Sequence, residues 1–290
     1  SRNTLFQARE QRVHPGRDEK VLTSWNALMI RGMAVAGRHL DQSQYIDSAT
    51  RALNFLRETL WRDGRLFATF KDGKAHLNAY LDDYAFLIDA SLELLQARWR
   101  SDDLAFACEL AEVLLAHYED REHGGFYFTA DDHERLIQRP KILADEATPS
   151  GNGVAALALA RLGYLIGETR YLDAAERTLN SAGRAMSDAP IAHATLLQAL
   201  EEHFTPPQII ILRGADEVLE QWRRRCTHNY TSRRLGFAIP IDAPNLPPAL
   251  ANKVPQGEVV AYICEGMTCS PPITEQQDFA AALEATKAKV

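Results

Sequence analysis

Two stretches of the chain repeat one plan, and that repeat limits the fold more than any other feature. Each runs from an amphipathic helical segment through a short hairpin rich in glycine and aromatics to a polar cluster that opens another helix. The first passes through Trp61, Gly64, Phe67 and Phe70 to Asn78, Tyr80, Asp82 and Asp83. The second passes through Tyr118, Gly124, Gly125, Phe126, Tyr127 and Phe128 to Ser150, Gly151 and Asn152. A helical hairpin cannot bury its apolar face alone, so successive hairpins stack side by side into an array. If every second helix points inward, the polar starts of the inner helices share one rim, and a binding site belongs there.

Apolar residues recur at helical spacing in seven segments, roughly 24–40, 44–60, 80–98, 102–118, 151–166, 170–186 and 190–204. Thr23 or Ser24 is a candidate cap for the first, Asp188 before Pro190 for the last, and Gly167 is a stop signal. The connections alternate in length. Those at 40–44, 99–102 and 167–169 are very short, whereas 61–78 and 119–150 are long and carry Gly-Gly, Asp-Gly and Phe-x-Phe hairpin signals. This alternation predicts inner helices starting near 24, 80, 150 and 190, and outer ones near 44, 102 and 170.

After Phe204 the texture changes. Pro206-Pro207 precedes the run Gln208-Ile209-Ile210-Ile211-Leu212, a buried-strand pattern. A helix over 215–225, strands over 236–241 and 259–264 and a closing helix over 274–287 complete the expected α/β appendage. The predicted architecture is mainly α: a helical-hairpin segment over 1–205, then a small α/β domain over 206–290. The strand–glycine–helix turn at Gly214 lacks the further glycines of a dinucleotide fingerprint and reads as a connection.

A net charge of −7 argues against a general nucleic-acid binder, which needs a positive surface. The longest apolar stretch, 153–167, is broken by Arg161, so no membrane span is expected. The first ten residues have no apolar signal-peptide core. Four cysteines are too few and too irregular for a secreted disulfide framework, so the cytoplasm is the expected compartment. Cys264 and Cys269 lie beside a strand end. Two separate thiols are the favoured reading there, with a disulfide left open. The histidines show no metal-ligand spacing, and neither a metal nor a cofactor is expected.

The rim collects a definite set of residues: Trp25 and Asn26 from the first inner helix, Asn78, Tyr80, Asp82, Asp83 and Tyr84 from the second, Asp145, Glu146, Thr148, Ser150 and Asn152 at the third, and His193 at the fourth. Aromatic rings beside amides and carboxylates suit a sugar, whose hydroxyls need paired hydrogen bonds and whose C–H faces stack on rings. Helical neighbours point about 100° apart, so Asp82 and Asp83 cannot both face one ligand. One is expected to favour the helix dipole and the other to act as a general acid or base, with Asp145 or Glu146 across the groove. His193 is the candidate for proton transfer near neutral pH.

Several motifs in order carry a family resemblance. They are the run Arg12-Val13-His14-Pro15-Gly16-Arg17-Asp18-Glu19-Lys20 through Ser24-Trp25-Asn26, Leu81-Asp82-Asp83-Tyr84-Ala85-Phe86, Gly124-Gly125-Phe126-Tyr127-Phe128-Thr129, Arg139-Pro140-Lys141, Pro149-Ser150-Gly151-Asn152, and Ala261-Tyr262-Ile263-Cys264 through Cys269-Ser270-Pro271-Pro272. Together they resemble the C-terminal part of the spermatogenesis-associated protein 20 family over nearly the whole chain. The resemblance implies a six-hairpin (α/α) toroid of the glycosidase type, akin to N-acylglucosamine 2-epimerases, preceded by a thioredoxin-like domain. A full ring of that kind has twelve helices, so seven make a partial toroid. The expected partners are then a small sugar, the upstream half of the ring and the thioredoxin-like domain, with self-association through the open edge as a further expectation. Two functions follow as expectations: a carbohydrate-active domain that isomerises or hydrolyses a sugar, or a non-catalytic scaffold that supports the thioredoxin-like domain.

Overall fold

The computed structural model describes residues 1–134, 137–228 and 231–285. An exposed helix, α1 (Arg2–Glu10), opens the chain and buries none of its residues. The apolar periodicity then takes effect in seven helices. An inner layer consists of α2 (Thr23–His39), α4 (Leu81–Ala97), α6 (Gly151–Ile166) and α8 (Ala194–Phe204), each packed on the next. Behind it lie α3 (Ser43–Leu60), α5 (Ser101–His117) and α7 (Thr169–Asp188), each against its preceding inner helix. This is a segment of an (α/α) toroid. Because short turns join inner to outer helices, the inner helices run parallel and their starts gather at one end. Before α8 the chain makes a 3-10 turn, Pro190–His193, so His193 precedes the α-helix proper.

At the centre, α4 buries every residue except Asp82. Its apolar side chains join those of α2, α3, α5 and α6 in one core. Close approach between inner helices depends on glycine. A Cβ on Gly153 of α6 would lie 2.9 Å from Thr195 Cβ of α8.

The first long connection folds as expected for its Asp-Gly signals. Strands β1 (Val21–Leu22), β2 (Trp61–Arg62), β3 (Arg65–Lys71) and β4 (Lys74–Asn78) form an antiparallel sheet around β3. Asp63-Gly64 and Asp72-Gly73 make its two-residue turns, all four residues having positive φ, the geometry that favours this dipeptide. The second long connection, 119–150, differs from the expected hairpin. Among its described residues it forms one isolated bridge, Glu119 to Phe126, because Asn152 takes both backbone groups of 126, while the N–H of 128 goes to the Pro140 carbonyl and the carbonyl of 128 to the Leu81 N–H.

The C-terminal α/β region consists of β5 (Gln208–Gly214), α9 (Asp216–His228), β6 (Arg234–Pro240), α10 (Pro248–Ala251), β7 (Val259–Glu265), β8 (Thr268–Cys269) and α11 (Gln276–Ala285). Residues 286–287 of the expected closing helix lie outside the described residues. The sheet order is β6-β5-β7-β8, with β5 and β6 parallel and the other pairs antiparallel. Strand β5 is buried along its whole length because both sheet faces are covered. Ile210 and Leu212 face Trp222 of α9 and Phe279 of α11, while Ile209 and Ile211 join the helical core. Trp99, in the α4–α5 turn, meets Phe237 edge-on at 6.2 Å. The sheet is thus seated on the C-terminal end of the inner helices, away from the rim. Cys264 and Cys269 are directly paired across β7 and β8 and form a disulfide, which corrects the expectation of two separate thiols. No helix of the described residues is long and apolar enough to cross a membrane.

Candidate functional site at the helix rim

The inner-helix starts are tied together by carboxylates that cap a neighbouring helix as well as their own. Asp83 accepts from the Tyr80 N–H at the start of α4 and from the Ser24 N–H of α2, both at 2.9 Å. Asp145 accepts from the Ser150 N–H of α6 at 2.8 Å and from the Thr195 N–H of α8 at 2.9 Å. Helix starts leave N–H groups without intrahelical partners, so a carboxylate between two of them satisfies both helices at once. Thr23 and Ser24 do not cap α2 themselves. The Thr23 hydroxyl donates to the Phe67 carbonyl at 2.7 Å, which fixes α2 on strand β3.

The two adjacent aspartates therefore do different work. Asp83 is buried with both oxygens occupied, and burial pushes its pKa up to about 7 against the opposing backbone bonds from Tyr80 and Ser24. Asp82 has no hydrogen-bond partner among the described residues. Its Oδ1 lies so close to Gly151 that a Cβ there would collide with it. Asp82 is thus wedged between the starts of α4 and α6, and burial alone pushes its carboxyl up to about 6. A half-exposed carboxyl that titrates near 6 can both give and take a proton near neutral pH.

The remaining expected residues separate into exposed and structural groups. Trp25 is 65% exposed on the first turn of α2. Asn26 is half-buried and donates to the Leu22 carbonyl at 2.8 Å. The Tyr80 ring stacks on Phe128, centroids 4.9 Å apart. Glu146 is exposed in the loop before α6. Tyr84 is fully buried, and its hydroxyl accepts from the Leu66 N–H at 2.9 Å. Ser150 caps α6 by accepting from Gly153 N–H, and buried Asn152 holds Phe126 through both backbone groups. Tyr84, Ser150 and Asn152 thus shape the rim from beneath. His193 is buried, and its Nδ1 donates to the Ala189 carbonyl at 2.8 Å. It lies near enough to Asp145 to help hold that carboxyl down. Burial works to raise Asp145, but the Ser150 and Thr195 N–H groups outweigh it and keep it below the ordinary carboxylate range.

The double capping by Asp145 and the wedge at Gly151 were not expected from sequence. Pro149-Ser150-Gly151-Asn152 read as a helix entry, and nothing in its spacing says that Gly151 must admit a carboxylate from α4. The fold also brings together His117, Asp131 and Asp132, whose ligand atoms lie within 4.8 Å of one another. His117 already bonds Asp131, and Arg65 bonds Asp132, so we assign no metal there.

No family model matches the chain. Its sequence is 30% identical over 292 residues to spermatogenesis-associated protein 20 of Homo sapiens, covering 93% of this chain and 37% of the relative. An uncharacterized protein of Caenorhabditis elegans is 25% identical over 291 residues, covering 96% of this chain and 40% of that one. The chain thus spans about two fifths of the length of the curated relatives it matches. Among solved structures, the GH76 α-mannanase of Bacteroides thetaiotaomicron is similar over 66% of this chain and 55% of its own, with a TM-score of 0.53 and 13% identity. That likeness concerns the fold, an (α/α) toroid of helical hairpins.

Proposed function

We propose that this chain, a relative of the spermatogenesis-associated protein 20 family over 93% of its length, is a carbohydrate-active domain that binds a sugar at the inner-helix rim. Asp82 is its acid–base residue. The observation that carries this reading is Asp82 itself, the one residue of α4 that is not buried, without a hydrogen-bond partner among the described residues and raised to about 6. Folding has left this carboxylate desolvated and unpaired, an arrangement that costs stability and is found where a ligand supplies the partner. The exposed Trp25 ring at the neighbouring helix start offers the flat apolar face on which a pyranose stacks. Protonated, Asp82 can deliver a proton to a glycosidic or ring oxygen; ionised, it can remove one from a sugar carbon or from water. Isomerisation and hydrolysis both use such a group.

Saturation-transfer NMR against a panel of mono- and disaccharides tests the reading. At least one sugar is expected to bind. Asp82→Asn and Trp25→Ala should each weaken it tenfold or more, while exposed Arg184→Gln should leave it unchanged. Sugar binding that survives both rim substitutions would place the site elsewhere and defeat the assignment.

A second reading has its own observation. Trp25 and Met29, one helical turn apart on α2, are 65% and 62% exposed and form an apolar stripe at the edge of the array. A scaffold that packs against the rest of a longer protein, such as further toroid helices and a thioredoxin-like domain, needs such a stripe. On this reading Trp25→Ala weakens assembly of the complete protein and no sugar binds.

A further inference from the structure

The end of the array opposite the rim contains a cavity of about 110 Å³ between the inner helices and the α/β region. Its walls include Arg31 and Arg38 of α2, Glu93 of α4, Arg161 of α6, Arg223 of α9 and Arg234 of β6. Glu93 lies eleven residues beyond Asp82 on α4, about 16 Å along the axis. The cavity is therefore distinct from the rim.

Its arginines are unequally satisfied. On the array side, Arg31 bonds Asp89 at 2.6 Å, Arg38 bonds Glu93 at 2.9 Å, and Arg161 holds Glu202 with two bonds of 2.9 and 2.5 Å. Arg161 Nη1 remains 3.8 Å from Asp89 and 3.7 Å from Glu93, beyond hydrogen-bond reach. On the α/β side, Arg234 is buried and donates to the Gln208 side-chain oxygen and the Leu283 carbonyl, meeting no carboxylate among the described residues. Arg223 is 8% exposed. It uses Nε and Nη2 on Glu220 of its own helix, while its Nη1 is buried with no partner among the described residues. Five guanidinium groups thus face four carboxylates, and burial pushes one of these, Asp89, toward its neutral form. A buried cation with an unused N–H is costly unless something anionic completes it.

We propose that this cavity is a binding site for a phosphate-class oxyanion, held by Arg223 and Arg234 from the α/β region and by Arg161 from the helical array. Guanidinium donors approach from two walls, which suits an anion with several equivalent oxygens better than a planar carboxylate. The volume admits a phosphoryl group, either as free phosphate or as the head of a phosphomonoester. Because its ligands come from both parts of the chain, the anion fastens the sheet to the inner helices. Its binding should therefore raise the melting temperature in a saturable way.

The test is calorimetric titration of the chain with inorganic phosphate, glycerol 3-phosphate and acetate, with sodium chloride holding ionic strength constant. Saturable binding of one phosphate or phosphomonoester per chain is expected, with acetate at least tenfold weaker. Ser232→Asp sets a carboxylate at the exposed edge of the cavity without removing an arginine and should weaken binding tenfold or more. Arg223→Gln should do the same. Should that variant fail to fold, Ser232→Asp decides alone. Exposed Arg184→Gln and the rim variant Asp82→Asn should bind as the parent does. Glycerol 3-phosphate binding tenfold tighter than phosphate identifies an organic phosphate as the ligand; equal affinities identify free phosphate. Absence of saturable binding, acetate equal to phosphate, or no loss in Ser232→Asp overturns the proposal.

Discussion

Asp82 and Asp83 are neighbours in sequence and opposites in their surroundings because one helical step turns them about 100° apart. Asp83 points into the protein and fastens two helix starts; Asp82 points into the crevice beside Gly151. Each carries a prediction. Asp82 titrates at about 6 in the folded chain and at roughly 4 when unfolded. Between those values the folded state binds more protons, so its contribution to stability is fully present below about pH 4 and is lost as pH rises through 6. Asp82→Asn should therefore be more stable than the parent at pH 7 by about 1–2 kcal/mol, discounted for exposure and for the favourable helix dipole. The two should converge near pH 4 in urea titrations. Asp83→Ala should instead cost about 2–3 kcal/mol, since two N–H groups lose their acceptor. Sequence located this pair at a helix start but could not assign the roles, because the choice depends on where the start of α2 lies.

Local caps such as Ser150 on α6 are only part of how the starts of this array are satisfied, and local motif reading misses the rest. Thr23 and Ser24 have the right chemistry to cap α2, yet the carboxylate comes from α4. The starts of α6 and α8 are separated by more than forty residues and share Asp145. Asp145→Ala should cost about 2–3 kcal/mol and speed amide exchange at Ser150 and Thr195 together, whereas a local cap would affect only Ser150. The small residues at the start of α6 have equally distant causes. Gly153→Ala would press on Thr195 and should cost about 1–3 kcal/mol. Gly151→Ala would displace the Asp82 carboxylate, and it should abolish sugar binding while leaving the Asp82 side chain intact.

At the scale of the whole molecule, seven helices and their inner–outer alternation were legible because an apolar face repeats wherever a helix must be buried. The β5 strand was legible for a similar reason, since a sheet covered on both faces reads as a continuous apolar run. Sequence periodicity gives no information about which end of the array the sheet covers, so the arginine-lined cavity between them was invisible. The disulfide was hidden for the same reason: Cys264 and Cys269 meet only once β7 and β8 pair in register. It closes a short loop, so its reduction should cost no more than about 2 kcal/mol. Intact-mass measurement under non-reducing conditions should find both thiols absent.

The central claim is that folding leaves Asp82 desolvated and unpaired for a sugar to complete, and the carboxyl carbon chemical shift of that residue reports it most directly. In a ¹³C-detected pH titration, with Asp82→Asn identifying the resonance, the account predicts a midpoint near 6 that moves when a bound sugar from the panel is added at saturation. A midpoint near 4, unmoved by any sugar, would contradict it.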